Sequence, residues 1–291
     1  MLQKIENMVP AKEEGLQSYL LLETGIIEDY LRVQANAVDS PSILTAVKQI
    51  DFATLTGWVW AETEYASHAQ RGPLLVQMEE DSPLPAAFRD GWAPSDGGVF
   101  ITSRASIDKV LAQLRSILFV YLPDGDRARF RLQETAALSS VLRALAPLRV
   151  AQLLGPISQL LWLEDIAPTQ YQWWSITQQQ VGDIARAPFQ FTHAEMSAID
   201  HYLAEHRLSR QVALTRMARH SHQGDPHQQT VEWMTQLQQW GFQRHSDVSA
   251  GLDIFRHAGF STNAPAITQA LSSIDLTPGA RITQAANLLN A

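Results

Sequence analysis

Residues 117–132, ILFVYLPDGDRARFRL, restrict the local fold more tightly than any other stretch of the chain. Ile117 to Leu122 is apolar at every position, as in a strand covered on both faces. Pro123, Asp124 and Gly125 then supply a preset φ, a side chain that bonds its own backbone, and a residue free to take positive φ. Beyond the turn the pattern alternates strictly. Ala128, Phe130 and Leu132 share one face, while Arg127, Arg129 and Arg131 share the other. Two such strands around such a turn make a β-hairpin with one packed and one wet face on its second strand. If Asp124 and Asp126 held a metal instead, as in nucleotide hydrolases, a phosphate-cradling loop would be needed, and the sequence contains no G-x-x-x-x-G-K-[ST]. The aspartates turn the chain.

Around the hairpin, the first half mixes strands and helices. SYLLLET (18–24) and GPLLVQM (72–78) are short apolar runs suited to covered strands, and GIIEDYLRV places Ile27, Tyr30 and Leu31 at helical spacing. Ile107, Val110, Leu111 and Leu114 mark an amphipathic helix with Ser103 as its N-cap. Leu138, Val141, Leu142 and Leu145 mark another, stopped by Pro147. From about residue 190 the chain reads as helical throughout. Thr192 and Glu195 form a capping box. Helices are expected from about Leu208 to Arg219 and from about Pro226. WGF and AGF each place a glycine and then Phe242 or Phe260 just past a helix, the pattern of a left-handed cap with its apolar contact. ITQA occurs at 267–270 and again at 282–285, a slight sign of repetition.

These patterns predict an α+β protein. Residues 1–165 form an N-terminal mixed α/β lobe with a small sheet and flanking helices. Residues 166–190, rich in glutamine and aromatics, connect it to an all-helical lobe at 191–291. The 291 residues and 45% hydrophobic content suffice for two modest cores. No apolar run approaches the roughly 20 residues of a membrane helix, and MLQKIENMVPAKEEG lacks the layout of a signal peptide. With no cysteine, there is no thiol nucleophile, disulfide or thiolate metal site, which fits a cytoplasmic protein. The net charge of −8 and the lack of a basic run speak against nucleic-acid binding.

Chemical candidates are few. His220, His222, Asp225 and His227 have zinc-compatible donor types, but they fall in a Gly- and Pro-containing connection where polar residues gather anyway. There is no G-x-S-x-G elbow. Glu79, Glu80 and Asp81 read as a solvated loop able to attract a basic partner. Trp173 and Trp174 cannot point the same way along a regular element. Lobe packing and partner contact both suit them, and with Phe189 and Phe191 they form the expected contact set.

In order, SYLLLETG, RGPLLVQM, GGVFITS, LAQLRSILFVYLPDGDRARFRL and RVAQLLGPISQLLW, followed by WGF and AGF, resemble the type VI secretion effector chaperones and adaptors (Tap/Tec type). The resemblance covers most of residues 17–164 and, more loosely, 189–285. It implies a non-enzymatic cytoplasmic protein without cofactor that binds a cognate effector and helps load it onto the VgrG spike. The chain departs from the family pattern in three places. Glu23 stands where aspartate is common, Gln113-Leu114-Arg115 where His-Leu-Arg is frequent, and RLQETAAL follows Phe130 where an Asp-Pro pair is usual. The alternatives are a metal-dependent hydrolase built on the histidine loop and a toxin-neutralising binding protein.

Overall fold

The computed structural model describes residues 2–8, 10, 13–36, 41–167, 170–178, 182, 188–218 and 225–289. Two compact units emerge: Met1–Asp165 with Gln170–Leu203, and Ala204–Ala291 with Ile166–Thr169. The α+β class is as expected, with strands confined largely to the first unit and helices filling the second.

In the first unit the strands are β1 (Leu2–Ile5), β2 (Gln17–Leu22), β3 (Leu55–Trp58), β4 (Leu74–Met78), β5 (Gly98–Ser103), β6 (Phe119–Tyr121), β7 (Arg127–Arg129), β8 (Ile157–Ala167) and β9 (Gln170–Thr177). The helices are α1 (Thr24–Ala35), α2 (Ile43–Ile50), α3 (Leu84–Ala87, continued by a π turn over Phe88–Trp92), α4 (Ile107–Ser116), α5 (Thr135–Ala144) and α6 (Pro147–Leu154). Among the described residues seven strands make one sheet in the order β1-β9-β8-β5-β2-β4-β3, and β6 and β7 form a separate pair. Strand β2 lies between two antiparallel neighbours, with Leu20 opposite Val76 of β4 and Phe100 of β5.

Both faces of this sheet are covered. Alternate residues of a strand point to opposite faces, and here Tyr19 and Leu21 enter one core while Leu20 and Leu22 enter the other. The first core is roofed by α4, α5 and α6 through residues such as Val110, Leu142 and Leu153. The second is roofed by α1, α2 and α3 through Ile27, Val47 and Leu84, together with Phe88. The result is three layers, helix on sheet on helix, built on an antiparallel sheet.

The sheet is larger than the small one expected, because the stretch read as a connection supplies β9 and β8 runs beyond residue 165. Glutamine-rich alternation hid β9: its polar residues sit among buried tryptophan and isoleucine. Ser103 does not cap α4. It ends β5, donating to the Pro156 carbonyl at 2.6 Å and accepting from Ala105 N–H at 3.0 Å, and Ser106 occupies the cap position. The first hairpin strand is covered on one face only, since Val120 is buried while Phe119 and Tyr121 are half-buried.

Helix α7 (His193–Met217) is continuous across the point where a new helix was expected near Leu208. Its capping box forms as read: Thr192 N–H donates to Glu195 Oε2 at 2.8 Å and Glu195 N–H to Thr192 Oγ1 at 3.2 Å. Arg149 of α6 adds a bond from Nε to Glu195 Oε1 at 2.8 Å.

The second unit continues with α8 (Pro226–Gln239), α9 (His245–Arg256), α10 (Phe260–Ser272) and α11 (Pro278–Leu289). After α8, Gly241 takes a φ of +85° and Phe242 N–H reaches back to the Leu237 carbonyl at 3.1 Å, the expected glycine cap. Phe242 is fully buried. Gly259 differs: its φ is −78°, and it serves as the cap position that starts α10. Two buried arginines brace this unit. Arg256 donates to Gln211 Oε1 at 2.6 Å and to the Gln211 carbonyl at 3.0 Å. Arg281 donates to the Trp240 and Leu271 carbonyls at 2.7 and 3.0 Å.

Burial acts to raise the pKa of Glu195, but hydrogen bonds from Arg149 and the Thr192 backbone outweigh it and hold the carboxyl below its usual range. The resulting stability is intact above the ordinary glutamate pKa of about 4.3 and is lost as pH falls through the lower folded value. Urea unfolding across the acid range should therefore show Glu195→Gln less stable than the parent near neutrality. The difference should shrink as the pH is taken below 4.

Candidate functional site

The four aromatics expected to meet a partner lie inside the first unit. Trp173 is 9% exposed, with its ring centroid 6.3 Å from that of Phe88. Trp174 points to the opposite core, nearly parallel to Trp162 at 6.4 Å. Phe189 and Phe191 are 4% and 5% exposed and meet edge to face at 5.0 Å. Trp173, Phe189 and Phe191 are thus buried and Trp174 half-buried, each packed within the first unit. With both faces of the sheet roofed, adjacent tryptophans that point in opposite directions each find a core.

Of the histidine loop, His220 and His222 lie outside the described residues. Asp225 caps α8 by accepting from His227 N–H at 3.0 Å. Among the described residues no group of three or more His, Cys, Asp or Glu is placed to hold a metal. Asp124 and Asp126 do turn the chain: Asp124 Oδ1 accepts from Asp126 N–H at 3.3 Å, and Gly125 has a φ of +91°. Glu79, Glu80 and Asp81 are exposed beyond β4, as read.

The arrangement best suited to recognition is one that the sequence only half disclosed. On the wet face of the hairpin, Arg127 lies against Phe119 of β6 and Arg129 against Trp60 of the loop after β3. The Arg127 guanidinium sits 3.4 Å from the Phe119 ring centroid, and that of Arg129 lies 5.7 Å from Trp60. Tyr65 links them, 4.9 Å from Trp60 and 5.8 Å from Phe119. All three rings are half-buried, so each keeps an edge or face for contact. Tryptophan, tyrosine and arginine dominate binding hot spots because they combine large area with charge or a polar handle.

Several residues hold this face in place. Arg115 donates to the Trp58 carbonyl at 3.2 Å, the Val59 carbonyl at 3.3 Å and Glu62 Oε2 at 2.6 Å. Glu62 adopts a φ of +62°, unusual for a residue with a side chain. Gly72 makes room for the indole: a Cβ there would lie 2.4 Å from the Trp60 ring. Arg127 also pairs with Glu64 at 3.2 Å. Beside the face is a narrow cleft with Trp60, Leu118, Phe130 and Leu132 among its walls and Arg129 and Arg131 in its lining. Trp60 and Tyr65 carried no periodic signal that could have marked them, whereas the alternating arginines did mark the hairpin.

The family-like positions next to this face have structural work. Gln113 is fully buried and donates to the Leu153 carbonyl at 2.8 Å, tying α4 to α6. Arg115 anchors the loop as described.

Residues 35–152 match the family model described as Domain of unknown function (DUF4123). No curated protein and no solved structure compared with the chain matches it. The matched stretch holds α2 to α5, the hairpin and most of α6, but of the main sheet only β3, β4 and β5. Since β2 separates β4 from β5 in the sheet, the match is narrower than the folded unit.

Two outcomes follow from these placements. A 35–152 fragment should show no cooperative thermal transition, because β4 and β5 lose the strand that joins them, whereas the full chain should show one by calorimetry. Arg115→Ala should cost about 0.5–1.5 kcal/mol in urea unfolding, since the part-buried Trp58 and Val59 carbonyls each lose a donor. Exposed Arg129→Ala should stay within about 0.5 kcal/mol of the parent.

Proposed function

We propose that this protein is a non-enzymatic chaperone and adaptor of type VI secretion, which binds a cognate effector in the cytoplasm and helps load it onto the VgrG spike. The observation that carries the reading is the DUF4123 match at residues 35–152, which falls on the stretch whose motifs resemble that family. The physical design is compatible with this role. The arginine–aromatic face around β7 has the chemistry of a binding surface, with no nucleophile or metal cluster among the residues that form it. No helix among the described residues is long and apolar enough to cross a membrane. The departures at Glu23, at Gln113 and in the RLQETAAL run after Phe130 suit a member with its own partner. Glu23, for example, accepts from Gln133 Nε2 at 2.7 Å, a bond made possible by the residues that replace the usual Asp-Pro pair.

The test uses the native host. Deleting the gene should abolish secretion of one effector while the spike and other effectors are still released, and the tagged protein should copurify that effector with VgrG. Unchanged secretion of every effector would sink the adaptor reading. Self-poisoning of the deletion strain, relieved by removing the toxin, would assign a neutralising role instead.

A further inference from the structure

The hairpin has one closed and one open edge. Phe130 N–H donates to the Leu118 carbonyl at 2.9 Å and Leu122 N–H to the Asp126 carbonyl at 2.8 Å. With Val120 opposite Ala128 in the register, antiparallel alternation makes these the hydrogen-bonded pairs and leaves Arg127 and Arg129 in non-bonded positions. The backbone N–H and C=O groups of Arg127 and Arg129 therefore point away from β6. On the far side of β6, the equivalent groups of Tyr121 are taken: its N–H donates to the Phe189 carbonyl and its carbonyl accepts from Phe191 N–H, both at 2.8 Å. Nothing among the described residues takes the corresponding place beside β7, which is a ready template for one more strand.

The side chains at that edge select what could add there. Arg127 is paired with Glu64, but Arg129 has no carboxylate within 4.0 Å among the described residues, only the Trp60 ring. Arg131 follows two positions later, ion-paired with Glu134 at 3.6 Å, and lines the adjoining cleft with Arg129. A strand paired to β7 would carry its own alternate side chains past this arginine row, so carboxylates every second residue complement it. With Arg127 and Arg131 paired to Glu64 and Glu134, Arg129 is the member of the row left to attract a carboxylate, on a chain whose net charge is −8. Half-buried Trp60 and Phe130 leave apolar edges beside the row.

We infer that the β7 edge binds an extended, acidic segment of a partner polypeptide by strand addition, with a carboxylate on Arg129. This rests on the adaptor reading for the identity of the partner, but not for the chemistry of the edge.

The experiment titrates the ¹⁵N-labelled full chain with a short peptide alternating glutamate and valine, and with its lysine counterpart, at low and high salt. The expected result is that the glutamate peptide alone binds the parent, more weakly as salt rises. The Arg127 and Arg129 amides should become protected from hydrogen exchange. Arg129→Glu, checked for unchanged melting, should weaken that binding about tenfold and gain binding of the lysine peptide. Binding that ignores Arg129→Glu, or binding that leaves the two amides unprotected, overturns strand addition. So does an Arg129→Ser variant that self-associates without either protein binding the peptide, which would make the arginines mere guards against edge pairing. If the edge fails this test while the effector still copurifies with Arg129→Glu, the adaptor reading stands with a different contact surface. If the peptide binds but no effector is ever recovered, the edge stands and the adaptor reading falls.

Discussion

Strand β2 is the member on which the first unit depends. It is bonded along both edges and buried on both faces, so Tyr19, Leu20, Leu21 and Leu22 lie almost wholly out of water. Each such side chain contributes roughly 1.5–3 kcal/mol of burial, and each commits a neighbour above or below the sheet to cover it. The two helical layers follow from that requirement. So does the pairing of β4 and β5, distant in sequence, on either side of one strand. The family-like stretch supplies half of this arrangement and borrows β2, β8 and β9 from outside itself.

The hairpin lies outside the main sheet, with Val120 in the first core and Ala128 and Phe130 packed against it. It is tethered through Tyr121 to the chain around Gln190, and that chain is tied in turn to α6 and α7 by Arg149, whose guanidinium lies 4.1 Å from the Phe189 ring and bonds Glu195. A tether on one edge leaves the other free. The same sequence feature that makes the hairpin, strict alternation of arginine with apolar residues, also makes its outer face cationic and its inner face adhesive. The packed side and the cationic side are thus the two faces of one short strand.

The second unit is specified differently. Its apolar core, with Leu237, Leu252 and Leu271, is crossed by Arg256 and Arg281, each with carbonyl acceptors waiting. Desolvation lowers the Arg256 pKa even with Asp253 nearby, so the site costs free energy that its hydrogen bonds must offset. In return, a buried guanidinium with fixed acceptors tolerates only one register of the helices around it.

The elements legible in the sequence were those with local causes. Turn chemistry at Pro123–Gly125, the capping box at Thr192 and Glu195, the glycine cap at Gly241 and the apolar runs of β2 and β4 all depend on neighbours within a few residues. Ser103 and Gly259 differ from their sequence reading because their roles are set from afar, by the Pro156 carbonyl and by the start of α10, and the helices roofing both sides of β9 decide where Trp173 and Trp174 pack. The candidate site divides in the same way. By itself the sequence determined the hairpin, its turn and its row of arginines, since period-two alternation can bury only one side. Only the tertiary structure decided that Trp60 and Tyr65 lie against that row and that one edge is closed while the other is open. Those facts depend on which distant backbone groups come within hydrogen-bonding reach, and no local pattern encodes that.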